Sequence, residues 1–164
     1  MMLRAKLAVA VLAAAPLILT GSVANAAPAK ATAAQEIFTQ CDGIATFKAG
    51  RGGWTVTTPV IWESAQTNCN LKPGDLPYRD PKNHFGLPGQ SIKVLQRNLN
   101  YCYGSKLAVD GTYGSKTAAA VKAVQRKHKL TADGIYGPKT RSAMNWRLYN
   151  PAKKIWTKTC SSPI

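Results

Sequence analysis

The feature that most constrains the fold is a repeat at an offset of 23 residues. Leu107–Val121 reads LAVDGTYGSKTAAAV and Leu130–Met144 reads LTADGIYGPKTRSAM, with eight of 15 positions identical. Identity of that extent among such varied residues implies one local unit used twice. Leu107 and Leu130 supply an apolar anchor ahead of a turn. Asp110-Gly111 and Asp133-Gly134 are turn dipeptides: the carboxylate accepts backbone N–H bonds while Gly takes a positive φ. Gly114 and Gly137 stand where a helix starts, and Pro138 suits a first helical position. Thr117 and Thr140 fall in the first turn, where a hydroxyl can bond a free backbone group. Each unit is therefore a turn feeding a helix.

Helical periodicity surrounds these turns. Ile92, Leu95, Leu99 and Cys102 recur at helix spacing; Thr117, Val121, Val124 and His128 form a second stripe; Thr140, Ala143, Met144 and Leu148 form a third. No such short helix is stable alone, since its stability comes from packing its apolar face. The expected fold is therefore mainly α, a small three-helix bundle. Upstream, Ile44–Phe47 and Trp54–Thr57 flank the turn-prone stretch Gly50–Gly53 and read as a short β-hairpin arm, disulfide-linked and on the N-terminal side of the bundle. Asn70–Gln90 is rich in Pro and Gly and reads as a loop.

The first residues read as an address. Arg4 and Lys6 precede the apolar run Leu7–Leu19, followed by the small-residue site Ala24-Asn25-Ala26. This is the order of a secretory signal peptide cut between Ala26 and Ala27. The run is shorter than the roughly 20 residues a membrane span needs. The expected organisation is a signal peptide (1–26), a flexible mature terminus (27–36), a β-rich arm and loop (37–88), a helical domain (89–150) and a tail carrying Cys160 (151–164).

Charge is uneven. Residues 27–91 carry a net +1, whereas residues 92–164 carry +12. The C-terminal half is the part suited to polyanions, which for an exported chain are anionic wall polymers, anionic lipid surfaces and released nucleic acid. Cys41, Cys69, Cys102 and Cys160 form no C-x-x-C pair, and an even number in an exported chain reads as two disulfides.

The repeat and the first stripe resemble the peptidoglycan-binding domain-like family. Its pattern runs V-x-x-L-Q-x-x-L-N, then D-G-x-[FY]-G-x-x-T-x-x-A-[VL]-x-x-[FV]-Q, then a second D-G-x-[YF]-G-x-x-T. This chain supplies Val94, Leu95, Gln96, Leu99 and Asn100; then Asp110, Gly111, Tyr113, Gly114, Thr117, Ala120, Val121, Val124 and Gln125; then Asp133, Gly134, Tyr136, Gly137 and Thr140. The likeness covers roughly residues 89–149. It departs from the family in the long loop between Cys69 and Gln90. The resemblance implies a three-helix fold and adhesion to the bacterial wall, with peptidoglycan as partner and without catalysis. A Cys69–Cys102 pair looks like a variant found in exported actinobacterial proteins. That pair would leave Cys41 to Cys160, and the loop is long enough to run back along the first helix. The expected pairing is therefore Cys69–Cys102 with Cys41–Cys160; the rival, Cys41–Cys69 with Cys102–Cys160, is local and physically reasonable.

No catalytic or metal constellation emerges. Asp110 and Asp133 are explained by their turns, His84 and His128 lack a metal-ligand spacing, and no G-x-S-x-G is present. The expected ligand contacts are the rings of Tyr113, Tyr136 and Trp146 and the cations Lys116, Lys139 and Arg141. The expectation is a secreted, monomeric, cofactor-free wall-binding protein with no specific nucleic-acid partner and no membrane span. The rivals are an accessory or remnant of a wall hydrolase and a cationic protein that binds anionic polymers through charge alone.

Overall fold

The computed structural model describes residues 38–50, 52–75, 77 and 87–161. The expected signal peptide, the expected flexible terminus and His84 lie outside the described residues. The element order is β1 (Gly43–Lys48), β2 (Thr55–Val60), α1 (Pro88–Tyr103), α2 (Ser115–Lys127), α3 (Pro138–Ala143), β3 (Trp146–Asn150) and β4 (Ile155–Ser161).

The fold is not mainly α. Four antiparallel strands form a single sheet in the order β1-β2-β3-β4. The hairpin of β1 and β2 forms as its sequence suggests, with Gly43 opposite Val60 and Lys48 opposite Thr55. Its turn uses positive φ at Gly50, Gly52 and Gly53. It is not an appended arm, because Val56 and Val60 are buried in the core. β2 continues the sheet into β3, where the backbone register is short, at Thr55 opposite Tyr149. Side chains complete that seam: Thr55 Oγ1 donates to Tyr149 O, and Asn150 Nδ2 donates to Gly52 O, each at 2.9 Å.

The third helix is where helical spacing misleads. Thr140, Ala143, Met144 and Leu148 fit one helical face, yet α3 stops at Ala143 and Met144 is extended, with φ −68° and ψ 147°. Trp146, Leu148 and Tyr149 belong to β3, as aromatic residues favour a pleated strand. The expected tail then returns as β4.

Between the strands run the helices. α1 buries Ile92, Leu95 and Leu99 completely. It ends in a left-handed Gly104 (φ 67°), with Gly104 N–H to Asn100 O and Ser105 N–H to Leu99 O, the paired bonds that satisfy orphan carbonyls at a helix C-terminus. α2 buries Val121 and Val124. The core is shared by sheet and helices: Leu71, Tyr136, Met144 and Trp146 pack with the α1 and α2 stripes.

The disulfides are Cys41–Cys69 and Cys102–Cys160, the local pairing and not Cys69–Cys102 with Cys41–Cys160. A short parallel bridge explains the first. Cys41 N–H donates to Asn70 O and Asn70 N–H to Thr39 O, which brings the two cysteines side by side. The second follows from β4, which sets Cys160 opposite Arg147 and beside the last turn of α1. The likeness to actinobacterial proteins rested on the other pairing and falls with it. Leu71 is no free loop residue: it exchanges two backbone bonds, of 2.8 and 2.9 Å, with Tyr136 of the second repeat.

Candidate functional site

The two Asp-Gly turns are built alike, each around a buried glutamine. In the first, Gln96 Nε2 donates to Asp110 Oδ1 at 2.8 Å, with Thr112 O at 3.1 Å and Thr117 Oγ1 at 3.3 Å also in reach, and Gly111 N–H donates to Gln96 Oε1 at 3.0 Å. In the second, Gln125 Nε2 donates to Asp133 Oδ1 at 2.6 Å, with Ile135 O at 2.9 Å and Thr140 Oγ1 at 3.1 Å, and Gly134 N–H donates to Gln125 Oε1 at 2.9 Å. Each carboxylate also accepts a backbone N–H two residues on, from Thr112 and Ile135, at 2.8 Å. The glutamine comes from one helix, the threonine from the next. The amide therefore ties helix, turn and following helix together, with Oδ1 of each aspartate engaged inside the turn. The Gln96 hydrogen bond, then the Thr112 N–H, holds Asp110 below the usual carboxylate range, so it stays ionised and is no proton donor at neutral pH.

Gly111 and Gly134 take φ of 83° and 80°. Gly114 and Gly137 are extended residues that cap α2 and α3.

The residues expected to touch ligand are dispersed. Tyr113 and Tyr136 are core side chains, 2 % and 1 % exposed, so neither ring presents a face for a sugar. Burial pushes both phenols well above their usual range. Tyr136 packs edge-on against Trp146, itself 2 % exposed, with ring centres 6.4 Å apart. Lys116 and Lys139 are exposed near the starts of α2 and α3. Arg141 is half-buried; its carbonyl accepts the Trp146 indole N–H at 3.3 Å, and its Nε is buried without a partner. His128 pairs with the Tyr103 hydroxyl at 2.9 Å, a structural contact between α1 and the end of α2. Among the described residues no three His, Cys, Asp or Glu side chains come together as a metal site.

The main concavity lies elsewhere, where α1 meets the sheet. It is an open groove of about 720 Å³ whose walls include Ile44 and Thr57 of the first hairpin, Val94 and Tyr101 of α1, and Arg147 and Trp156 of the second hairpin. The Arg147 guanidinium lies 3.7 Å from the Tyr101 ring centre and 5.2 Å from that of Trp156. Its Nε donates to Thr157 O at 3.2 Å. The Tyr101 hydroxyl reaches Thr157 O and Lys158 O, both at 3.1 Å. Tyr101 and Trp156 remain 42 % and 50 % exposed. Of the expected ligand residues, only Trp146 lines this groove. Sequence reasoning missed Arg147 and Trp156 because it foresaw neither β3 nor β4. The one local hint was the pair of strand-favouring aromatics Trp146 and Tyr149.

Residues 88–144 match the profile of a family described as "Putative peptidoglycan binding domain". A solved structure, a peptidoglycan-binding protein from Clostridioides difficile in complex with glutamine hydroxamate, is 26 % identical over 54 % of this chain and 48 % of that one, with a TM-score of 0.38. The chain thus spans about half the length of that protein, and so loose a likeness transfers no geometry. Among curated proteins no match was found.

Proposed function

With residues 88–144 matching that family, we propose that the chain is an exported wall-binding protein that adheres to peptidoglycan and carries out no reaction on it. The match itself carries the reading, and the internal build of the two turns supports it. The carboxylates a glycosidase would need, Asp110 and Asp133, each brace a turn against a helix through Oδ1. Two disulfides suit an oxidising location outside the cytosol. Export follows cleavage between Ala26 and Ala27, and the mature chain acts as a monomer.

The exposed cations Lys116, Lys122, Arg126, Lys127 and Lys139 add a salt-sensitive attraction to anionic wall polymers. Charge alone gives a second reading, favoured by the excess on residues 92–164: a polycation that holds any polyanion. Co-sedimentation with insoluble peptidoglycan stripped of teichoic acid separates the two. Retention on the stripped wall supports specific adhesion; retention on whole wall and on DNA alone supports the polycation. Release of soluble muropeptides by the pure protein would overturn the non-catalytic part.

A further inference from the structure

The groove beside Arg147 is shared between α1 and elements outside residues 88–144: Ile44, Thr57, Trp146, Arg147 and Trp156 lie beyond the matched segment, so the family match does not assign the site as a whole. Its chemistry is specific. Arg147 is held flat by Tyr101 on one side, with Trp156 nearby, and its Nε is fixed to Thr157 O. The two terminal amino groups have no hydrogen-bond partner among the described residues. A guanidinium held in one plane by a ring and a carbonyl is prepared for a bidentate carboxylate. A second cation, Arg97, lines the same groove, and no Asp or Glu does.

The rest of the lining argues against a sugar. Asn98 and Asn100 face the groove, but their amides are spent inside the protein. Asn98 Nδ2 donates to Asn145 O, while Asn98 Oδ1 accepts from Arg147 N–H. Asn100 holds Leu107 by both its carbonyl oxygen and its N–H. The Thr57 and Thr46 hydroxyls bond one another. A ring of sugar hydroxyls would thus meet few free partners. Ile44, Val94 and Val109 instead offer contacts for small aliphatic side chains.

Resting on the wall-binding reading, we propose that this groove is the recognition subsite for a carboxylate-bearing stem peptide of peptidoglycan, gripped by Arg147 on its Tyr101 platform. The Cys102–Cys160 bond is its clamp. Cys102 follows Tyr101 in α1, and Cys160 stands opposite Arg147 in the β3–β4 ladder. Two backbone neighbours of the stacked pair are therefore locked together.

The test is an NMR titration of the oxidised protein with three soluble probes: a stem tetrapeptide, the same peptide with every carboxyl amidated, and a tetramer of N-acetylglucosamine. Binding of insoluble stripped peptidoglycan is measured on the same samples. The acidic peptide is expected to shift the Trp156 indole and Arg147 signals, and the amidated peptide to bind roughly tenfold more weakly or not at all. Arg147→Gln is expected to lose about tenfold for the acidic peptide and Arg147→Lys less. Val109→Glu, at a 36 % exposed side chain, sets a carboxylate at the groove without touching the core, so it keeps the test valid if Arg147→Gln fails to fold. It is expected to weaken binding of the acidic peptide by about tenfold or more. Equal binding of stripped wall by wild type, Arg147→Gln and Val109→Glu would overturn the groove and leave wall adhesion standing. Preference of the groove for the sugar tetramer would overturn the peptide assignment. Failure of the wild type to bind either wall or peptide would overturn both readings.

Discussion

Tyr113 of the first turn donates its hydroxyl to the carbonyl of Gly134 in the second, 2.9 Å away and fully buried. One repeat is thereby bolted to the other through a side chain expected from sequence to meet ligand. Tyr113→Phe removes the donor and leaves the Gly134 carbonyl buried and unpaired, at a cost of about 1–3 kcal/mol. Chemical denaturation will show that loss. Wall binding of the folded variant is expected to be unchanged; a specific loss of binding without a loss of stability would return Tyr113 to the ligand.

The two turn glycines share a conformation but not a setting. A Cβ at Gly111 would lie 2.9 Å from the Gly89 carbonyl oxygen, a backbone atom that cannot step aside. At Gly134 the nearest atom, also at 2.9 Å, is Lys122 Cε, the far end of a flexible chain. Both alanine variants incur left-handed strain of about 1–2 kcal/mol. Gly111→Ala is therefore expected to melt below Gly134→Ala, and the reverse order would contradict the packing described.

Acid acts on the first turn in a known direction. The carboxyl of Asp110 is held below its ordinary value of 3.8 by Gln96 and Thr112. Its contribution to stability is present above the unfolded value and is lost as pH falls through the lower folded one. Unfolding measured from pH 5 to pH 2 is expected to steepen below about 3.8 in the wild type and to flatten in Asp110→Asn, which keeps the acceptor oxygen and loses the charge.

Cys102–Cys160 closes a loop with a sequence separation of 58 and ties β4 to α1. Replacing both cysteines by serine is expected to cost about 2–4 kcal/mol. It should also loosen the Tyr101–Arg147 stack, raising quenching of Trp156 fluorescence by iodide before global unfolding. Unchanged quenching would mean that β4 holds the groove without the bond. Non-reducing peptide maps are expected to link Cys41 to Cys69.

What was legible in the sequence was whatever is encoded locally. The repeated Asp-Gly turns, the α1 stripe of Ile92, Leu95 and Leu99, and the Gly50–Gly53 hairpin each announce themselves within a few residues. The second hairpin did not. Met144 and Leu148 continue a helical spacing by coincidence, and β4 is largely exposed on both faces, so it shows no apolar alternation. The cysteine pairing depended on that strand, and with it the groove. The glutamine braces were half visible: Leu95-Gln96 and Val124-Gln125 each place an amide after an apolar core residue ahead of a turn. Which partners the amide finds is decided only when both helices are packed.

Adhesion to peptidoglycan is tested most directly by co-sedimentation of the oxidised protein with teichoic-acid-free peptidoglycan across a salt series. Screening shortens the reach of surface charges to about 4–5 Å near 0.5 M salt. The account predicts saturable binding that persists there, with wall fragments carrying intact stem peptides competing. Complete release by that salt, or equal affinity for DNA throughout the series, would contradict it.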